Sequence, residues 1–378
     1  MDLNRRRFLA SCGAAVWGPL VARLGMASTK AASMSSSGKP RIHAKKIRLE
    51  LQHAWGIARG TTEFKENVLV NYERDGLTGL GEAGHLTAAG QTADQTLAGI
   101  ERLRSFYERL EPSSYASLPD LADTLPDAPP PARAALEMAL LDWWGKKQQL
   151  PLHRVLEVHP QREVPTSFSI GLDTPEMMRQ KAREAGPYRI LKVKLGREND
   201  EEIIRTLREV TDKPIRVDAN EGWRDKETAI RKLEWLERHN IELVEQPLPR
   251  QLVEETRWLT ERTRLPLVAD ESVHTCRDIP SVAGAYSGIN IKLMKAGGLL
   301  EALRMFAAAK KLGLDTMLGC MIETSVAITA AVHLQALARW VDLDGNLLLR
   351  NDPYQGATFA DGYWRVPNTP GLGVQPRR

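Results

Sequence analysis

"ILKVKLG", residues Ile190 to Gly196, is the stretch on which the fold turns. Ile190, Leu191, Val193 and Leu195 have the makings of a buried strand, yet Lys192 and Lys194 interrupt them. Side chains two apart in a strand share a face, so both ammonium groups aim at one place. Two like charges side by side in an apolar setting are costly, which marks this strand end as a site of chemistry. The same texture recurs on both sides of it. After Val164, short apolar strands ("VPTSFSIGL", "IRVDANEGW", "ELVEQPL", "LVADES", "INIKLMK", "TMLGCMIET", "WVDLDG") alternate with amphipathic helices such as "DEEIIRTLREVTD" and "ETAIRKLEWLERHN". Lys192, Asp218, Glu245, Asp270 and Lys292 mark successive strands at steps of 22 to 27 residues, enough for a strand, a helix and two loops. Eight such strands predict an α/β fold, a closed parallel barrel over residues 161–345. The pattern ends on a strand, so the expected form is a modified TIM barrel, (β/α)7β.

The sequence ahead of the barrel has a different character. Residues 41–160 read as an α+β capping domain: two strand-like stretches flank the long loop "HAWGIARGTTEFKEN", "GLTGLGEAG" follows as a turn-rich segment, and helices are expected over 91–110 and 131–149. The tail, about 346–378, is expected to pack back on this domain. At the extreme N-terminus, "NRRRFLA" precedes a small, apolar run ending in "GMAS", the pattern of a twin-arginine export signal over residues 1–27. A Ser-rich disordered linker follows over 28–40. Export implies a periplasmic location. Loss of residues 1–27 would remove four arginines and one aspartate and lower the net charge from +4 to +1. The basicity therefore sits in the signal, and neither a nucleic-acid partner nor a stable membrane anchor is implied. Cys12, Cys276 and Cys320 make no disulfide framework.

In a parallel barrel the chemistry lies at the C-terminal strand ends. Asp218, Glu245 and Asp270, on the third to fifth strands, offer an all-oxygen set suited to Mg²⁺, which Mn²⁺ also fits. The second and sixth strands are diametrically opposite, so Lys194 and Lys292 face each other across the mouth. That arrangement suits removal of a proton α to a carboxylate, with the metal stabilising an enediolate. Lysines serve as bases when burial and neighbouring charge lower their pKa, and Lys192 beside Lys194 is expected to do this. Asn220 shares the face of Asp218. On the eighth strand Asp342 and Asp344, two apart on one face and with no obvious cation nearby, call for an ammonium group on the substrate.

In order and spacing, "KVK", "VDANEGW", "VEQPL", "ADES", "NIKLMKAGG", "MLGCMIETSVAITAA" and "DLDG" resemble the enolase superfamily, in particular the dipeptide epimerases of its muconate-cycloisomerase-like subgroup. The resemblance covers residue 41 to the C-terminus. It implies an isomerase with Asp218, Glu245 and Asp270 as Mg²⁺ ligands, Lys194 and Lys292 as acid/base catalysts, and Asp342 and Asp344 on the dipeptide ammonium. Lys295 would lie on the loop beyond. Further substrate contacts are implied for Lys192, Ser169, Cys320 and Ile322, with Glu323 behind them. Members acting on L-Ala-D/L-Glu bind the distal carboxylate through a cap-loop arginine, here Arg59, beside Trp55 as an apolar wall. Such a substrate fits a periplasmic supply of peptidoglycan fragments. Homo-oligomerisation is left open. The rival readings are another superfamily reaction (cycloisomerisation, o-succinylbenzoate synthesis or N-acylamino acid racemisation) and a non-catalytic exported dipeptide-binding protein. His333, in a helical pattern, is expected to be structural, and Cys320 has no partner that would make it a nucleophile.

Overall fold

Three antiparallel strands open the structure: β1 (Arg41–Ile57), β2 (Gly60–Arg74) and β3 (Leu77–Gly84), in that order across the sheet. The computed structural model describes residues 38–57, 60–86, 90–111, 125–160 and 162–377. The signal-like segment, most of the linker and Arg59 lie outside the described residues. Where a long loop was expected, the β1–β2 hairpin continues: Trp55 pairs with Thr62, Gly56 with Thr61 and Ile57 with Gly60. Aromatic and β-branched residues favour strand there, and the irregularity is confined to a register shift between Glu50 and Trp55.

Two helices cover the sheet, α1 (Ala93–Arg109) and α2 (Pro130–Gln148). Thr92 and Gln95 close a capping box at the start of α1, while Pro130 opens α2. "GLTGLGEAG" proves to be strand rather than turn, for a packing reason. A Cβ at Gly79 would fall 1.9 Å from the carbonyl oxygen of Ala139, and one at Gly81 2.0 Å from that of Ala135. Glycine thus lets α2 lie directly on the strand backbone. The opposite flank of α2 meets the barrel, which explains why 14 of its 19 residues are buried.

The barrel comprises β4 (Ser167–Ile170), β5 (Ile190–Lys194), β6 (Ile215–Asp218), β7 (Ile241–Glu245), β8 (Leu267–Ala269), β9 (Gly288–Lys292), β10 (Asp315–Gly319) and β11 (Trp340–Asp342). They are parallel and lie side by side in chain order, and a Thr166–Val341 bridge joins the first to the last. Helices α3 (Pro175–Glu184), α4 (Asp200–Arg208), α5 (Lys226–Leu236), α6 (Val253–Thr260), α7 (Ile279–Val282), α8 (Leu299–Lys311) and α9 (Ser325–Val332) follow β4 to β10 in turn. In place of an eighth helix, the 3₁₀ turn Gly345–Leu348 follows β11, and the tail continues in short antiparallel strand pairs. This is the (β/α)7β form.

Strand parity separates floor from mouth. Leu243, Val268, Met317 and Trp340 form an apolar cluster inside the barrel, each two residues before a position at the mouth. Buried Arg216 shares that level and donates to the Val341 carbonyl at 2.6 Å. The tail then returns over the cap. Arg350 N donates to Glu50 O (2.9 Å) on β1, and Leu372 N to Asp142 Oδ1 (2.7 Å) on α2. Among the described residues no helix is long and apolar enough to cross a membrane.

Candidate active site

In the barrel ladder Lys194 stands beside Asp218, and Asp218 beside Glu245. This common register brings their side chains to one level at the mouth. Lys194 Nζ lies 2.6 Å from Asp218 Oδ2, and Lys292 Nζ 3.0 Å from Asp270 Oδ2. β5 and β9 are four strands apart in a ring of eight, so the two lysines approach from opposite sides.

Lys192 does something the sequence did not suggest. Its Nζ sits 3.1 Å from Asp218 Oδ2, 2.6 Å from Glu245 Oε2 and 2.8 Å from Asp342 Oδ2, fully inside the barrel. The expected role as an uncompensated charge beside Lys194 is corrected, because three carboxylates neutralise it. Burial would depress the Lys192 ammonium, but Asp342, Glu245 and Asp218 hold it well above the usual lysine range. Lys292 is likewise raised, against its burial, by Asp270 and Glu245. The acids respond in kind. Burial pushes Asp218 up, but Lys194 and Lys192 bring it down to about 2; Lys292 and Lys295 keep Asp270 low despite its burial.

Two further residues hold this set in place. Asn290 Nδ2 donates to Glu245 Oε1 at 2.7 Å. Gln246 takes a left-handed backbone (φ 38°), and its Oε1 accepts from the backbone N–H groups of Asp270 (2.9 Å) and Ser272 (3.2 Å). Its Nε2 donates to Leu248 O, Ser272 Oγ and Tyr286 Oη. Strained backbone of this kind persists only where its surroundings fix it. Gln246 was visible in "VEQPL", but nothing in the sequence shows that its amide reaches the next strand. Lys295, expected on a loop, lies in a one-turn helix, Leu293–Ala296. Its ammonium is buried against Asp270, 2.7 Å from Oδ1, and also donates to the Asp270 carbonyl.

The opposite wall carries Asp342 and Asp344. Here too the expectation of no nearby cation is corrected for one of them: Asp342 binds Lys192 and accepts from Ser167 Oγ at 2.7 Å. Asp344 accepts from the Ser169 N–H (2.6 Å) and lies 3.9 Å from Cys320 Sγ. Among the described residues no ammonium or guanidinium pairs with it. Burial and the neighbouring Asp342 push its carboxyl up to about 7. Ser169, Cys320 and Ile322 all line the same cavity of about 370 Å³. The Ile322 carbonyl is engaged by the cap residue Asn67 at 3.0 Å. Burial and the surrounding acids push the Cys320 thiol well up, and both described cysteines are free. Trp55 closes one side, its ring 6.0 Å from Lys194 Nζ. Glu323 is buried beside Gly84, pushed up to about 8 by burial and Glu82. His333 lies away from the site, 3.3 Å from His153.

Asp218, Glu245 and Asp270 provide the hard oxygen donors that a divalent cation prefers. One buried oxygen, Glu245 Oε2, lacks a hydrogen-bond partner of acceptable geometry although Lys192 is near. Among the described residues no three acidic, His or Cys side chains are gathered into a ready metal cage, and ammonium groups engage these oxygens. The donor set fits such an ion; its counter-charge here is lysine.

Residues 174–378 match the enolase C-terminal domain-like model, and residues 43–156 the mandelate racemase/muconate lactonizing enzyme N-terminal domain. The L-Ala-D/L-Glu epimerase of Bacteroides thetaiotaomicron is 38% identical over 338 residues, 89% of this chain and 88% of that protein. A dipeptide epimerase from Enterococcus faecalis, solved with Mg and L-Leu-L-Tyr, superposes with a TM-score of 0.83 at 32% identity, covering 89% of this chain and 99% of the other. An N-succinyl Arg/Lys racemase from Bacillus cereus superposes with a TM-score of 0.84 at 27% identity, covering 89% and 95%.

Proposed function

The chain belongs to the mandelate racemase/muconate lactonizing enzyme family of the enolase superfamily, and on that premise we propose that it epimerises dipeptides at the Cα of their C-terminal residue. The observation that carries this reading is the placement of Lys194 and Lys292 on opposed strands, with Asp344 as an un-neutralised carboxylate on the wall between them. Asp344 binds the dipeptide ammonium, and Asp342, already paired with Lys192, braces it. One lysine amine takes the Cα proton and leaves a planar enediolate; the other lysine, as an ammonium, returns a proton to the opposite face. Asp218, Glu245 and Asp270 would hold Mg²⁺, which when bound neutralises the acids that keep Lys292 charged and acidifies the Cα–H. Gln246 and Asn290 fix the orientation of those acids, so little reorganisation is needed on reaction.

L-Ala-D/L-Glu is the favoured substrate, supported by the name of the 38% identical relative. Arg59, assigned above to the distal carboxylate, lies outside the described residues. N-Acylamino acid racemisation, suggested by the Bacillus cereus neighbour, leaves Asp344 without work because an acylated amine carries no charge. The export pattern of residues 1–27 supports a periplasmic enzyme, which cell fractionation checks.

Lys194→Ala and Lys292→Ala test the assignment. Each variant should lose epimerisation while calorimetry shows dipeptide binding within about threefold of the parent, since neither lysine is assigned to hold the dipeptide. Abolished binding with the fold intact contradicts these roles.

A further inference from the structure

The barrel closes where its first strand, β4, meets its last, β11, and the wall of Asp342 and Asp344 stands on this seam. Among the described residues a single backbone bridge, Thr166–Val341, pairs the two strands, whereas four residue pairs join β4 to β5 and three join β10 to β11. Side chains supply the rest of the closure. Thr166 Oγ1 accepts from Leu343 N at 2.8 Å, and Asp344 Oδ2 accepts from Ser169 N. Arg216 reaches across the barrel floor from β6 and donates through Nη1 to Val341 O.

Ser167 joins this set at Asp342. It is fully buried, and its Oγ lies 2.7 Å from Asp342 Oδ1. Arg216 Nη1 lies 3.5 Å from the same hydroxyl. A guanidinium can only donate, and a hydroxyl has one proton to give. Ser167 therefore accepts from Arg216 and spends its proton on the carboxylate. The other acceptor in reach, Val341 O, is 3.5 Å away and already engaged by Arg216. Lys192 holds the second oxygen, Oδ2, so each oxygen of Asp342 has its own donor and the carboxylate plane is fixed. Loss of the Ser167 hydroxyl would strip Oδ1 of this donor in a buried setting. Lys192, shared among three acids, does not fix the plane alone.

We propose that Ser167 is a positioning residue for the ammonium wall: it holds Asp342 in line against Lys192, so that the negative charge beside Asp344 stays where a dipeptide ammonium needs it. The proposal rests on the epimerase reading and deepens it, since Ser167 acts on the substrate only through Asp342.

The test compares two ligands that differ only at the ammonium, in the Mg²⁺-loaded parent, Ser167→Ala and Ser167→Cys. One is L-Ala-L-Glu, followed by its KM and kcat. The other is N-propanoyl-L-glutamate, followed by its Ki as a competitor of the same reaction. Neither KM nor Ki depends on how much of a variant is folded. The parent should bind the dipeptide more tightly. Ser167→Ala should raise KM about tenfold, as expected for one hydrogen bond to a charged group, with Ki and kcat within about threefold of the parent. Ser167→Cys fills the same space with a weaker donor and should recover only part of the Ki/KM ratio. An unmoved ratio in Ser167→Ala, or equal rises in KM and Ki, overturns the role of Ser167 alone. Full recovery in Ser167→Cys does the same, because packing and not the hydroxyl would then be at work. A parent that binds both ligands alike removes the ammonium wall and this proposal with it, and a parent that epimerises no dipeptide overturns the epimerase reading itself.

Discussion

Lys192 Nζ and Asp342 Oδ2 lie 2.8 Å apart, joining the second strand of the barrel to the eighth. The contact spans the mouth beneath the cavity and divides the two aspartates of "DLDG" into unlike partners. Asp342 has its cation in the protein. Among the described residues Asp344 has none, and that difference is why the proposed function assigns it the substrate ammonium.

The two aspartates should therefore respond differently to neutralisation. Without Mg²⁺ or substrate, Asp342→Asn removes a charged hydrogen bond from a lysine that keeps two other acids, so a loss of about 2 kcal/mol is expected in urea unfolding. Asp344 differs because its folded pKa, about 7, exceeds the ordinary aspartate value. Its raised pKa makes the native state weaken as pH rises from about 4 to 7. Asp344→Asn should then be more stable than the parent at pH 8, while its KM for dipeptides rises. A stability loss at pH 8 comparable to that of Asp342→Asn would count against the division.

Gln246 should matter out of proportion to its neutral side chain. It holds a left-handed backbone and positions the N–H of Asp270. Gln246→Ala is expected to cost about 2–3 kcal/mol, from buried hydrogen bonds left without partners. It should also lower kcat by about tenfold or more through misplacement of Asp270. Urea unfolding and steady-state kinetics on one preparation check both, and full activity in the variant would refute the positioning role.

A buried histidine pair predicts acid sensitivity remote from the mouth. His333, whose Nε2 lies 3.0 Å from the Leu372 carbonyl, is held down to about 4, chiefly by burial. The unfolded chain takes up this proton near pH 6.5, so stability present above that value is lost as pH falls toward 4. The group contributes about 3 kcal/mol over that window. Urea unfolding free energies measured from pH 7 to 4.5 should fall less steeply for His333→Gln than for the parent. Parallel curves would show that other groups govern the acid limb.

Much of this architecture was legible because its signals are periodic. Asp218, Glu245, Asp270 and Lys292 recur with the barrel step, and strand parity directs them to one mouth. What escaped depends on contacts between distant segments. The neutralisation of Lys192 needs Asp342, 150 residues on, and the Gln246 clamp needs an amide to span strands. "GLTGLGEAG" misled because its glycines serve close helix packing rather than turning. "HAWGIARGTTEFKEN" misled because its glycines stood out more than its strand-forming neighbours.

The central claim is proton transfer at one carbon. The most direct measurement incubates the purified protein and Mg²⁺ with a panel of L,L-dipeptides in D₂O and follows mass and Cα–H resonances together. A one-deuteron gain at the C-terminal Cα is expected, with the L,D epimer appearing, greatest for L-Ala-L-Glu. Absence of exchange in every dipeptide by the Mg²⁺-loaded protein, with exchange in N-acylamino acids instead, would contradict it.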